Sequence, residues 1–357
     1  MRLFKTLPAA PSRVASALGK SLAASAAIGL ALAASTTGAV AQWQPDRPIE
    51  FVIQTSPGGG SDTYARFWIG LIELYNLSPV PITPVNMPGG AGAVALAYLA
   101  DHAGEPYYMT PTLNSVVITP LVQQLPVMYP SQDLTPIALM AIDPFLLWVH
   151  PARFQNWDEF VAACQADRLT AAGTGARTED EIHIGLLAEA AGCQPFRYVP
   201  ETGGGAVATG VAGQQYDFSV NQPSEALPHY PDNLIPIVAF TPERLEAFPE
   251  APTHWELGIG VDNGYAELLD LETGLHQMRG IIGPPDMAPE AVAWFEELWR
   301  QIFETPEWQE FMARGAQVPQ FKGAEDYRNW LVTFEDNHVD LMTEVFGWEL
   351  RPDLVPR

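Results

Sequence analysis

The sequence is poor in cysteine and in basic residues, and after its first 41 residues it lacks a long uninterrupted apolar run. Only 2 of its 357 residues are cysteine, and 18 Lys plus Arg stand against 42 Asp plus Glu. Two cysteines are too few for a structural zinc site, and the 7 histidines form no HExxH motif. Nucleic acid is excluded as a partner, because phosphate binding needs a basic face.

Common nucleotide and hydrolase motifs are missing as well. The chain has no GxxxxGK[ST] phosphate loop, no GxGxxG dinucleotide fingerprint and no GxSxG nucleophile elbow. The interpretation as an exported hydrolase would require Ser61 to pair with a distant histidine. We therefore expect no enzyme activity and no cofactor.

Residues 1–41 form a segment of a different kind. Four basic residues, Arg2, Lys5, Arg13 and Lys20, precede the short apolar stretch Leu22–Ala34. The small-residue triplet Ala39-Val40-Ala41 follows that stretch. This pattern is typical of a cleavable signal peptide. A membrane anchor is disfavoured, because it needs about 20 apolar residues. Cleavage after Ala41 would leave 14 basic and 42 acidic residues, a formal charge of −28, in a protein expected in the periplasm.

The remaining chain alternates between strand and helix patterns, which indicates an α/β fold. The first series comprises strands Glu50–Gln54 and Val80–Asn86 and helices Asp62–Tyr75 and Ala91–Asp101. A second series follows the apolar stretch Pro136–His150, with helices Trp157–Ala166 and Glu179–Ala191 and strands Leu169–Ala172, Phe196–Val199, Tyr216–Val220 and Leu234–Phe240. The pattern predicts a helical C-terminal part, with an amphipathic helix at Pro289–Phe303.

Three glycine-rich turns are each placed between a strand and a helix. They are "SPGGGSD" (56–62), "MPGGAG" (87–92) and "GTGART" (173–178). Such a turn exposes backbone N–H groups at a helix N-terminus, where the helix dipole favours an anion. Simple tight turns would explain any single loop, whereas three of them in one exported chain favour a negatively charged ligand.

The two cysteines, Cys164 and Cys193, have two interpretations. In an exported chain a lone pair of cysteines favours a disulfide, and the alternative is two separate buried thiols. We predict the disulfide, because the expected compartment is oxidising.

Five segments together resemble one receptor family. They are "RPIEFVIQTSPGGGSDTYAR", "NMPGGAGAVALAYLA", "DLTPIALMAIDPFLLWVHP", "GTGARTEDEIHIGLLAEAAG" and "RYVPETGGGAVATGVAGQQYDFSVNQPSEALPH". In this order and spacing they look like the signature segments of the substrate-binding proteins of tripartite tricarboxylate transporters, also called Bug receptors. The resemblance covers nearly all of the chain beyond residue 41.

The resemblance implies a periplasmic-binding-protein-like (type II) fold whose two domains close on a ligand. Domain 1 would comprise residues 42–142 plus 263–357, and domain 2 residues 143–262. Loops from both domains would bind a small carboxylate, which a monomeric receptor delivers to membrane permease subunits. The implied ligand-binding residues are Ser56, Gly58, Gly59, Gly60, Ser61, Gly173, Thr174, Gly175, Ala176, Arg177, Thr178, Gly203, Gly204 and Asn221.

The chain departs from the family pattern at two places. Met87 follows Asn86 where relatives commonly have arginine, and Ala176-Arg177 replaces smaller residues in the domain 2 loop. Arg177 has two interpretations: a solvated side chain paired with nearby acidic residues, or a clamp on a ligand carboxylate. A binding protein repurposed as a signalling sensor stays an alternative to transport.

Overall fold

Eleven strands in two β-sheets organise the part of the chain that the structure describes. This computed structural model describes residues 43–354 apart from 56, 58, 59, 202 and 271–275, so the predicted signal peptide lies outside the described residues. The strands are β1 (Ile49–Ile53), β2 (Ile82–Asn86), β3 (Tyr108–Thr112), β4 (Thr135–Asp143), β5 (Leu146–Val149), β6 (Thr170–Thr174), β7 (Arg197–Glu201), β8 (Phe218–Asn221), β9 (Ile235–Ala239), β10 (Gln277–Gly283) and β11 (Val318–Lys322).

The two sheets differ in strand number but share a mixed architecture. The first has the order β11-β4-β10-β3-β1-β2, and the second has the order β7-β6-β8-β5-β9. Strand β1 runs parallel to β2 and β3, whereas β10 runs antiparallel to β3 and β4. In the second sheet β6 is parallel to β7 and β8, and β5 is antiparallel to β8 and β9.

Helices cover both sheets, which explains why the central strands are mostly apolar. Every residue of β4 is buried, as expected of a strand with covered faces. The helices are α1 (Gly60–Leu74), α2 (Ala93–Ala100), α3 (Ser115–Val122), α4 (Pro130–Asp133), α5 (Trp157–Ala166), α6 (Glu179–Ala191), α7 (Gly204–Ala212), α8 (Pro223–Ala226), α9 (Ala266–Leu269), α10 (Pro289–Phe303), α11 (Pro306–Arg314) and α12 (Ala324–Asp340). Helix α10 buries Phe295, Leu298, Trp299 and Ile302, which confirms its predicted apolar face.

The chain passes from the first sheet to the second between Asp143 and Leu146, and it returns between Ala239 and Gln277. The predicted domain boundary at 262/263 lies within the second passage, and the boundary at 142/143 lies one residue before the first, inside β4. The described residues from Gln44 onward pack as a single compact unit, so the exact bounds of the two domains stay a prediction.

The C-terminal segment contacts elements of both sheets. The Arg351 guanidinium donates to the carbonyl oxygens of Pro120, Leu125 and Val127, near the first sheet. Phe346 packs against Gly185 of α6, where a Cβ would lie 2.3 Å from the phenyl ring. The segment therefore links helices that cover different sheets.

A disulfide joins Cys164, near the end of α5, to Cys193, just after α6. Their Cα atoms are 5.0 Å apart, within the usual range for a bridge. The bond ties together two helices that cover the second sheet.

Several predicted elements match the structure closely. Helices Trp157–Ala166, Glu179–Ala191 and Pro289–Phe303 have the predicted bounds. The C-terminal part is not purely helical, because β10 and β11 return there to pair with β4. Strand pairing between distant segments decides their conformation, and the periodicity of a short segment does not report such pairing.

Candidate functional site

The first glycine turn lies between β1 and α1 and contains buried hydroxyl groups without partners. Ser61 is 1% exposed, and neither its Oγ nor the Oγ1 of Thr55 has a hydrogen-bond partner among the described residues. A Cβ on Gly60 would lie 3.9 Å from Nη1 of Arg279, so this turn passes close to a guanidinium. Ser56, Gly58 and Gly59 fall outside the described residues.

A hydrogen-bond network fixes the base of this turn. Asn86, at the end of β2, donates from Nδ2 to the carbonyl oxygen of Thr55 and to Asp62 Oδ1, both at 2.9 Å. The guanidinium of Arg66 holds the same Asp62 carboxylate at 2.9 and 3.0 Å. The network ties α1 to the neighbouring strand, so the Ser61 hydroxyl is carried on a fixed backbone.

A buried ion pair lies beside the first turn. Arg279 on β10 donates from Nε and Nη2 to Oδ2 of Asp143, at 2.8 and 2.5 Å. The guanidinium also lies 4.6 Å from the ring centroid of Tyr64, and Gln317 donates to both Tyr64 and Asp143. Burial raises the pKa of Asp143, while Arg279 opposes that rise.

This pair was not among the predicted site residues, although a sequence signal existed. Asp143 is the one acidic residue in the apolar stretch 136–150, and Arg279 interrupts another apolar strand. A charge within a buried strand is unfavourable unless it is paired, so each residue indicated a partner elsewhere.

The second predicted loop, residues 173–178, uses its donors within the protein. The Thr174 N–H donates to Asp180 Oδ2 at 2.7 Å, and the Gly175 N–H donates to the carbonyl oxygen of Glu201 at 2.9 Å. The Thr178 hydroxyl donates to the carbonyl oxygen of Thr174 at 2.6 Å. These donors of the loop are therefore already occupied.

Gly173 and Gly175 are required here for different reasons. A Cβ on Gly173 would lie 2.5 Å from Tyr198 Oη, so only glycine fits without a shift. Gly175 has φ +72°, a left-handed conformation that glycine adopts without strain. Tyr198 Oη donates to the Gly175 carbonyl oxygen at 2.7 Å, so the two glycines serve local packing.

Ala176 and Arg177 are exposed at the tip of this loop. The Arg177 N–H donates to Glu181 Oε2 at 2.6 Å, and its guanidinium lies 5.8 Å from the ring centroid of Trp348 in the C-terminal segment. The clamp by Arg177 stays a prediction, and the arginine beside the first turn is Arg279.

A further acidic group occupies the glycine turn that starts α7. A Cβ on Gly204 would lie 1.8 Å from the carboxyl carbon of Glu225. A Cβ on Gly203 would meet no atom within 4 Å. Burial raises the pKa of Glu225 to about 7, and Arg279 opposes this rise. Asn221, the predicted neighbour, is 2% exposed, and a hydrogen bond from its side chain to the Glu225 carboxyl group works against the rise of that pKa.

The groups from the two sheets lie within electrostatic reach of one another. Burial raises the pKa of Glu179, and Arg279 opposes that rise too. Burial also raises the pKa of Asp180 well above its ordinary value, with Glu179 and Glu225 adding to the effect. The buried guanidinium of Arg279 therefore interacts electrostatically with acidic residues near both sheets. These are Asp143 on β4 of the first sheet, and Glu179 and Glu225 on helices beside the second sheet.

The described residues contain neither a metal-binding cluster nor a membrane-spanning helix. No group of three or more His, Cys, Asp or Glu side chains is arranged for a metal ion in residues 43–354, leaving aside those not described. No helix within the described part of the chain is long and apolar enough to cross a membrane.

Comparison with known proteins gives consistent results. The model of the "Tripartite tricarboxylate transporter family receptor" matches residues 78–335. A curated protein of Cupriavidus necator, "UPF0065 protein in gbd 5'region", is 26% identical over 313 residues, covering 85% of this chain and 89% of that protein.

Solved structures show the same fold. A TctC solute-binding protein from Polaromonas has a TM-score of 0.69 at 20% identity, covering 84% of this chain and 99% of that one. MatC from Rhodopseudomonas palustris with bound malate has a TM-score of 0.63 at 20% identity, covering 84% and 98%. The fold is therefore the two-domain α/β fold of the type II periplasmic binding proteins.

Proposed function

Because the chain belongs to the family of tripartite tricarboxylate transporter receptors, we propose that it is an extracytoplasmic receptor for a small carboxylate. The receptor would act in the periplasm after removal of residues 1–41, and it would deliver the ligand to permease subunits of such a transporter. The malate in the MatC structure supports a carboxylate as the ligand class.

The observation that carries this proposal is the buried Ser61 hydroxyl without a partner at the N-terminus of α1. An unsatisfied buried polar group costs about 1–3 kcal/mol, so a ligand oxygen that accepts from it recovers this loss. The positive end of the helix dipole and the Arg279 guanidinium favour an anion there. In a protein of strong net negative charge, such local donors have to hold the anion at short range.

The hydrolase alternative has less support. A nucleophilic serine needs a base within hydrogen-bond reach, and Ser61 Oγ has no hydrogen-bond partner among the described residues, histidines included. We therefore propose binding without turnover. Closure would follow from a ligand that contacts both domains, because a ligand shifts a conformational equilibrium only through its differential affinity for the two states.

A thermal-shift screen over mono-, di- and tricarboxylates tests the proposal. A bound ligand should raise Tm and be recovered chemically unchanged, with a gain in unfolding free energy of about 2.7 kcal/mol at a hundred times Kd. Ser61→Ala should weaken binding of the best ligand by about 1.5–3 kcal/mol, the worth of a charge-assisted hydrogen bond.

Ser78→Ala is the matched control, because the Ser78 hydroxyl already donates to the carbonyl oxygen of Val80 at 2.7 Å. Its affinity should equal that of the wild-type protein. No stabilisation by any carboxylate, or steady hydrolysis of a carboxylate ester that Ser61→Ala abolishes, would contradict the proposed function.

A further inference from the structure

The C-terminal segment, residues 341–354, is held firmly on the side of the first sheet. Arg351 is 6% exposed, and its guanidinium donates to three carbonyl oxygens within residues 120–127, at 3.0–3.2 Å. The backbone N–H of Arg351 donates to a fourth carbonyl oxygen, that of Leu121, at 2.8 Å. All four acceptors lie in the connection between β3 and β4. A buried guanidinium bound in this way is costly to detach, because it would lose several charge-assisted hydrogen bonds at once.

The same segment contacts α6, a helix beside the second sheet, through aromatic rings. A Cβ on Gly185 would lie 2.3 Å from Cε1 and 2.8 Å from Cζ of Phe346, so the phenyl ring lies directly on the helix backbone. Phe346 also stacks on Trp348, with ring centroids 5.1 Å apart. Glycine at position 185 is therefore what allows the segment to approach α6 this closely.

The packing against α6 is looser than the attachment to the first sheet. A cavity of about 220 Å³ lies between the segment and α6, and its lining includes Ile184, Ala188, Phe346 and Trp348. Both aromatic side chains are only partly buried. Atoms that face a void lack dispersion partners on that side, so this contact is the weaker of the two. If the two sheets move apart, the segment should stay with the first sheet and leave α6.

We propose that the C-terminal segment is a strap between the two domains, and that the contact of Phe346 with Gly185 holds the domains in the arrangement of this structure. In this arrangement Arg279 on β10 interacts electrostatically with Glu179 and Glu225 beside the second sheet. Release of Phe346 from α6 would favour separation of the domains and would widen the space between these groups. This inference goes beyond the proposed receptor function, because it concerns the protein without ligand.

The strap acts on a conformational equilibrium. A contact that is present in only one of two arrangements favours that arrangement, and its removal raises the population of the other. Burial of an aromatic side chain contributes enough free energy to shift such an equilibrium about tenfold, which corresponds to about 1.4 kcal/mol. The expected effect of releasing the strap is therefore at least about a tenfold rise in the ratio of separated to joined molecules.

Pulsed electron spin resonance between two spin labels measures this ratio. The labels are attached through Glu290→Cys on α10 and Asp158→Cys on α5, two exposed positions on helices beside different sheets. The native cysteines are joined in a disulfide and do not react. Without ligand, the protein with an intact strap should show one main distance. Gly185→Ala places a methyl group where the Phe346 ring lies, so it should add a second distance with the tenfold higher population.

Phe346→Ala removes the ring itself and should give the same second distance, so the test does not depend on how α6 accommodates the new methyl group. Gly70→Ala is the control for Gly185→Ala, because a Cβ on this glycine of α1 meets nothing within 4 Å. Phe321→Ala is the control for the lost ring, because Phe321 contacts Phe303 beside the first sheet. Both controls should keep the single distance.

The Tm of each variant shows whether it is folded. A single unchanged distance in folded Gly185→Ala and folded Phe346→Ala would overturn the inference. A second distance of equal population in the two controls would overturn it as well, since separation would then not depend on the strap. No ligand enters these measurements, so either result leaves the proposed receptor function to its own test.

Discussion

The glycine turns near the two sheets have similar sequences but differ in how their described polar groups are bonded. At the first turn the buried Ser61 and Thr55 hydroxyls have no partners among the described residues. At the turns near the second sheet, Asp180 receives the Thr174 N–H and Glu225 lies against Gly204. We therefore propose that the first turn, whose own Asp62 carboxylate is held by Arg66 and Asn86, binds an anion, and that the turns near the second sheet do not.

Arg279 lies where these two regions meet, and its partner Asp143 gives the largest expected effect. Asp143→Ala should lower the free energy of unfolding by about 3–5 kcal/mol, because it leaves a buried guanidinium uncompensated. Urea unfolding measures this loss. Glu105→Ala breaks the exposed pair with Arg47 and should cost no more than about 1 kcal/mol. Equal losses in the two variants would show that Arg279 is solvated and does not link the regions.

Sequence alone predicted the strand and helix pattern around these turns because that pattern is local. The turn 173–178 and helix Glu179–Ala191 follow from glycine and apolar spacing, and both are present in the structure. The carboxyl group that lies against the turn at Gly204 could not be assigned in the same way. Glu225 is 21 residues from Gly204 in sequence, and only the packing of α8 beside α7 brings them together.

The first turn shows the same division between local and distant information. Gly60 and Ser61 were predicted as site residues from the family resemblance of the segment that contains the turn. Arg279 comes from a strand more than 200 residues away, and its position beside Gly60 depends on the antiparallel pairing of β10 with β3 and β4. Such long-range pairings are set by the whole fold, so this part of the candidate site required the structure.

The close approach of Glu225 requires a glycine at position 204. In Gly204→Ala the new methyl group would lie 1.8 Å from the Glu225 carboxyl carbon, so the variant should lose about 1–3 kcal/mol of unfolding free energy. Urea unfolding measures this loss. Gly205→Ala is the control, because a Cβ there meets nothing within 4 Å; it should gain about 0.5–1 kcal/mol of stability. Equal unfolding free energies in the two variants would refute the close packing of Glu225 against Gly204.

Arg177 gives the smallest expected effect. Its guanidinium lies near Trp348 and the side chain is exposed, so Arg177→Ala and Arg177→Lys should bind the best ligand of the screen within about threefold of wild type. Calorimetry decides between this outcome and the clamp. A loss of about 2–5 kcal/mol in affinity on truncation would instead mean that Arg177 grips the ligand and that the second loop also binds an anion.

A crystal structure of the complex with the tightest ligand of the carboxylate screen tests the central contrast most directly. We expect a ligand carboxylate within hydrogen-bond distance of Ser61 Oγ, and no ligand carboxylate on the turns at 173–178 or at Gly204. A ligand carboxylate bound by the backbone of either of these turns, with the Ser61 hydroxyl left unpartnered, would contradict it.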